Sequence, residues 1–275
     1  QQKIIVPDDF SGSYIHYGVR EHGMAAAMNG IALHGGFIPY GGTFLIFTDY
    51  CRPAIRLSAL MNLRVIYVMT HDSIGLGEDG PTHQPVEHLS SLRSIPNLNV
   101  FRPCDIIETI ECWAESIKRI SIPSVLCLSR QGVPCLRKEY TKENLSAKGG
   151  YIISEAEKPP NVTLIASGSE VLIALEAEEL LKKKGVFARV VSMPCLEIFE
   201  VQKDNYRQQV IDPDIPVVVV EAAVEQSWGR YLGRKGKFIG MRTFGASAPG
   251  NELFEYFGIT AEKIVSAVEE MNLII

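Results

Sequence analysis

The sequence predicts an α/β fold in two domains, each a mostly parallel sheet flanked by helices. Three observations carry this reading. Short β-branched runs alternate with longer amphipathic stretches, the purest apolar runs are only a few residues long, as at 217–220, and a polar segment, RKEYTKENLSAKGG at 137–150, interrupts the pattern without any hydrophobic period. That segment divides the 275 residues into domains at 1–140 and 141–275.

The elements follow in order. Met24, Met28, Ile31 and Ala32 recur at helical spacing and predict a helix over 20–34, ended by Gly35 and Gly36. A second helix is expected over 52–61 and a buried strand over 64–69. Residues 71–88 hold three glycines and two prolines and read as a loop. A short strand at 99–102, a helix at 106–120 and a strand at 124–129 complete the first domain. In the second, a strand at 162–166, a helix at 170–184 and a strand at 188–192 form one βαβ unit. A strand at 217–220, a helix at 224–232 and a last helix at 261–271 continue it, with no internal repeat and no low-complexity tract.

Composition excludes several classes. Lys plus Arg number 27 against 32 Asp plus Glu, a net charge of −5, which disfavours nucleic acid as a partner. No apolar run approaches the roughly 20 residues of a membrane span. Six scattered cysteines without a C-x-x-C pair indicate neither a zinc ribbon nor a disulfide scaffold, and reduced, cytoplasmic thiols are expected. The chain opens Gln1-Gln2-Lys3 and shows no secretory signal, so a processed product or fragment is expected.

In open parallel sheets ligands lie beyond the carboxyl ends of the strands. His71 and Asp72 follow one strand directly, and Ser129, Arg130 and Gln131 follow another. Between 75 and 83 a glycine-rich loop carries Asp79 and His83, acid-base candidates that an ordinary exposed turn would equally hold. Metal ligation by His71, His83 and His88 is a weaker rival, because no two stand four apart on a helix. Glu21 opens the first helix, either as a plain dipole partner or as a buried carboxylate whose proton affinity burial raises and the helix end lowers. Phe44, Phe47 and Tyr50 stand at i, i+3 and i+6, which at a strand-to-helix junction makes an aromatic wall and elsewhere is core packing. The turn of Ser167, Gly168, Ser169 and Glu170 could face an anion, although one glycine is far from a phosphate fingerprint and a structural or dimer-supporting role is the alternative.

Four segments together resemble the transketolase family, in its order: YGVREHGM at 17–24, PYGGTFLIF at 39–47, THDSIGLGEDGPTHQP at 70–85 and SRQ at 129–131. The resemblance spans nearly the whole chain and implies a pyrimidine-binding domain followed by a carboxyl-terminal domain. It implies transfer of a two-carbon ketol unit from a ketose phosphate to an aldose phosphate, within the pentose phosphate pathway, through thiamine diphosphate. By it, Glu21 matches the glutamate that shares a proton with N1′ of the cofactor's aminopyrimidine, favouring the imino tautomer that deprotonates C2. Phe44, Phe47 and Tyr50 match the pocket around that ring, His71 and Arg130 positions that bind the substrate phosphate, Asp79 one that bonds a sugar hydroxyl, and His83 one beside the reacting carbons. The family's Gly-Asp-Gly motif and following Asn, which hold the diphosphate and its Mg2+ or Ca2+, do not occur here; nor does the start of the pyrimidine domain. The implied partners are therefore a diphosphate-binding domain and a second copy in a homodimer, and the chain alone is expected to be inactive. Alternatives are a subunit of a 2-oxoacid dehydrogenase or of a deoxyxylulose phosphate synthase relative, and a non-catalytic assembly module.

Overall fold

The computed structural model describes residues 3–271. In the first half, α1 (Glu21–His34), β1 (Tyr40–Phe44), α2 (Thr48–Leu60), β2 (Ile66–Thr70), α3 (His88–Arg93), β3 (Asn99–Phe101), α4 (Ile106–Lys118) and β4 (Ser124–Leu128) alternate as expected. The second half holds β5 (Tyr151–Ser154), β6 (Val162–Ala166), α5 (Glu170–Lys183), β7 (Ala188–Ser192), α6 (Leu196–Glu200), α7 (Asp204–Val210) and β8 (Val217–Glu221). It closes with α8 (Gly229–Leu232), β9 (Lys237–Gly240), α9 (Gly250–Tyr256) and α10 (Ala261–Glu269).

The first sheet runs β1-β2-β4-β3 and is entirely parallel; the second runs β5-β7-β6-β8-β9, with only β5 antiparallel. Burial on both faces explains the unbroken apolar runs. Val65, Tyr67 and Met69 point to one face, against Ala25 and Met28 of α1 and Ile55 of α2. Ile66 and Leu126 point to the other, against Cys112 of α4 and Ile198 of α6, so the second half itself roofs the first sheet. In the second sheet, Leu164 and Val218 meet α5 and α10, while Ile165, Val217 and Val219 meet Phe199 and Trp228.

Several expectations are corrected. The helix expected from residue 52 begins at Thr48 and carries Pro53 inside it; proline favours a helix's first turn, which drew the expected boundary too late. In place of a helix over 224–232 there is a 3-10 turn, Glu225–Ser227, and the four-residue α8. Helices α3, α6, α7 and α9 went unassigned because each spans seven residues or fewer, too few to show a helical period, and strands β1, β5 and β9 went unassigned as well.

Among the described residues, what fills the turn at 166–170 is not an anion. It holds a cation, the Arg102 guanidinium at the end of β3, whose Nη1 donates to Ser167 O at 2.9 Å and which pairs with Glu170. Beside it, Arg93 of α3 forks onto Glu221 through two bonds of 2.8 Å, and Trp228 Nε1 donates to Glu221 Oε2 at 2.7 Å. Burial would raise the Glu221 carboxyl, but the Arg93 charge and its fork, followed by Arg102, override this and hold it at about 2. These pairs join the two halves through a buried seam.

Candidate active site

Register assembles the site. Phe44 of β1 pairs with Thr70 of β2, which pairs with Leu128 of β4, so three neighbouring strands end level. The residues immediately beyond them therefore share one carboxyl edge of the sheet. From β1 the chain turns through a 3-10 segment, Leu45–Phe47, into α2, where Thr48 Oγ1 donates to Leu45 O at 2.8 Å. This places Phe44, Phe47 and Tyr50 at the strand-to-helix junction, the wall-forming alternative. The Phe44 and Phe47 rings stack with centroids 5.7 Å apart and planes 10° apart, and Phe47 meets Tyr50 at 6.0 Å. Tyr50 is 66% exposed, so the wall opens outward and is not interior packing.

The loop after β2 folds onto this wall. His71 stacks on Phe44 with centroids 3.5 Å apart, and His83 stands edge-on to Phe47 at 5.7 Å and to Phe44 at 6.5 Å. Thr70 Oγ1 lies 2.9 Å from His71 Nδ1, and Thr82 Oγ1 lies 3.0 Å from His83 Nδ1. Partial burial pulls the His71 pKa down, Arg130 pulls it further, and Asp79 and Asp72 oppose them. That interplay brings Arg130 and Asp79 into the electrostatic field of His71. His88 faces Asp49 of α2, its Nε2 3.0 Å from Asp49 Oδ1. Among the described residues no group of three His, Cys, Asp or Glu side chains could hold a metal ion.

The loop is braced from the second half. Gln84 Nε2 donates to Gly77 O at 2.8 Å and to Ala246 O at 2.9 Å. At the first residue of α9, Gly250 approaches so closely that a Cβ there would lie 2.8 Å from Gly75 O.

Glu21 begins α1 without a side-chain cap and is half-buried. Helices α1 and α2 pack together, tied by Asn29 Nδ2 to Ala54 O at 2.8 Å. Burial first, and then the Glu21 charge, push the Cys51 thiol up to about 12. Cys51 Sγ in turn contacts Phe47 O at 3.6 Å, one turn earlier in the chain. Sequence reasoning passed over the roles of Cys51, Arg102 and Glu221; the available signal at the last two was a charged side chain abutting an apolar strand.

The family described as transketolase, pyrimidine binding domain, matches residues 2–134. A second, the transketolase-like TK C-terminal domain, matches residues 149–260. The chain belongs to the transketolase family. It is 59% identical over 272 residues to the transketolase of Sinorhizobium medicae, a match covering 98% of this chain and 39% of that relative. The chain therefore spans about two fifths of the length of the curated transketolases it matches. Among solved transketolases, that of Leishmania mexicana superposes with a TM-score of 0.92 at 45% identity, over 98% of this chain and 39% of its own. The Pichia stipitis transketolase in complex with sedoheptulose-7-phosphate superposes at 0.90 and 40% identity, over 96% of this chain and 38% of its own. A chain described as split gene transketolase, inactive beta4 tetramer, superposes at 0.77 and 25% identity, over 94% of this chain and 84% of its own. Transketolases depend on thiamine and transfer ketol units, and the site residues expected from the motifs lie on their pyrimidine-binding part.

Proposed function

We propose that this chain supplies the pyrimidine-binding half of a transketolase active site, with residues 1–140 as that domain and 141–275 as the carboxyl-terminal domain. The observation that carries the reading is the open wall of Phe44, Phe47 and Tyr50, joined by His71 and His83 on one sheet edge, with the Glu21 charge acting on Cys51 of the helix that carries Tyr50. The residues fit a flat, basic heterocycle: partly exposed ring faces offer stacking, and the Glu21 carboxylate accepts no hydrogen bond from the described residues. Thiamine diphosphate, when bound, supplies the nucleophilic carbon that accepts and passes on the two-carbon unit. Its diphosphate and Mg2+ or Ca2+ belong to a diphosphate-binding domain outside these residues.

Within that frame Glu21 holds and exchanges the proton of the ring nitrogen. Phe44, Phe47 and Tyr50 orient the ring and exclude water from one face. Arg130 and His71 bind the donor's phosphate, the guanidinium by a charge-assisted fork. In the tautomer whose Nδ1 accepts from Thr70 Oγ1, the neutral His71 ring presents an Nε2–H to a phosphate oxygen. Asp79 accepts from a sugar hydroxyl, and His83 stands beside the reacting carbons. The substrates are sugar phosphates, of the kind bound by the Pichia stipitis enzyme, the site is completed across a homodimer, and the setting is the cytoplasm.

The chain mixed with a transketolase diphosphate-binding domain, thiamine diphosphate and magnesium is expected to transfer a ketol unit between a ketose phosphate and an aldose phosphate. The chain alone is expected to give none. Transfer by the unmixed chain, or none from a mixture shown to associate, sinks the proposal.

A further inference from the structure

Of the charged groups in the seam between the halves, Asp72 stands next to the candidate site, directly after His71. It is 2% exposed. Its Oδ2 accepts from Arg102 Nε at 2.9 Å, and its buried Oδ1 has no hydrogen-bond partner among the described residues. Arg102, fully buried, is held in turn from the other half. Nη1 donates to Ser167 O at 2.9 Å and to Ser167 Oγ at 3.2 Å and pairs with Glu170 Oε2, while Nη2 reaches Glu170 Oε1 at 3.2 Å. Glu170 is itself anchored by Ala222 N, 2.8 Å from Oε2. The turn is moulded to the guanidinium: a Cβ on Gly168, at φ +57°, would lie 2.8 Å from Arg102 Cζ.

His71 has a φ of +60°, a left-handed conformation that non-glycine residues hold only where their surroundings impose it. Thr70 is pinned within β2 on one side and Asp72 by Arg102 on the other, so the chain reverses through His71 between two fixed points. We infer that the carboxyl-terminal half sets the His71 turn through Arg102, which makes Arg102 and Glu170 positioning residues for the phosphate end of the substrate. The inference rests on the reading of His71 as a phosphate contact.

Arg102→Lys keeps the charge but cannot span Asp72, Ser167 and Glu170 together. In the enzyme assembled with its diphosphate-binding domain, KM for a ketose phosphate is expected to rise roughly tenfold while kcat stays within about threefold, as a displaced binding group would produce. KM for a phosphate-free ketose donor is expected to stay unchanged. An equal rise for both donors, or no rise, overturns the inference. His71→Ala, measured beside it, separates the two claims: an unchanged KM for the phosphorylated donor overturns the His71 reading and the inference with it. A raised KM there, with Arg102→Lys unchanged, overturns the inference alone. Should Arg102→Lys fail to fold by thermal unfolding, Glu170→Gln carries the same comparison, with a rise of about threefold expected from one weakened charge-assisted bond and the same outcomes decisive.

Discussion

Glu21 illustrates what a single residue shows and what it withholds. Its place at the start of an apolar-striped helix was readable, yet a first-turn carboxylate is ordinarily a dipole partner. What distinguishes it is its neighbourhood: it is half-buried, and its charge helps raise the thiol of Cys51, which itself contacts Phe47 O one turn earlier in the chain, to about 12. Replacing it by Gln preserves shape but ends proton exchange. Glu21→Gln in the assembled enzyme is therefore expected to lower turnover about a hundredfold or more, the contribution of a positioned acid-base group. Steady-state rates check this, and an unchanged rate would reduce Glu21 to a helix-start charge. The types and spacings of Phe44, Phe47, Tyr50, His71, Asp79, His83 and Arg130 were all legible. Their convergence was not, because it depends on strand register across residues up to 86 positions apart.

At the scale of elements, long periodic helices were found and short pieces were missed. Helix α4 was expected over 106–120 and occupies Ile106–Lys118. Its start is fixed by Asp105, whose Oδ1 accepts from Glu108 N at 2.8 Å. The other oxygen accepts from Leu136 N at 3.0 Å and Arg137 N at 3.3 Å, so one cap also fastens the segment leaving β4. Asp105→Ala strands all three donors. The lost cap costs about 1 kcal/mol, and buried unpaired donors add roughly 1–3 kcal/mol. A lower urea midpoint with an unchanged slope is the expected result in equilibrium unfolding, and an unmoved midpoint would refute the account. Strand β5 shows the converse: four residues, antiparallel at a sheet edge with a register shift at Ile152, carry too little pattern to be seen in advance.

Across the whole molecule, stability is tied to the seam between the halves. Glu221 is held at about 2 against an ordinary value of 4.5, so the unfolded chain binds the proton more readily and this stabilisation is lost as pH falls from 4.5 toward 2. Its full extent, present above 4.5, is roughly 3 kcal/mol. Glu221→Gln is expected to be clearly less stable near neutrality and to approach the unaltered chain below pH 3; denaturant unfolding measured across that range tests it, and parallel pH curves would disprove it. The α/β class, both sheets' central strands and the residues with chemistry to offer were determined by the sequence alone, since hydrophobic period and residue type are local properties. Only the tertiary structure decided that the wall faces outward, that an arginine rather than an anion fills the turn at 166–170, and that the second half braces the loop of the first. Each of those outcomes depends on which distant atoms share a buried space, and burial sets both the strength of an ion pair and the proton affinity of a carboxylate.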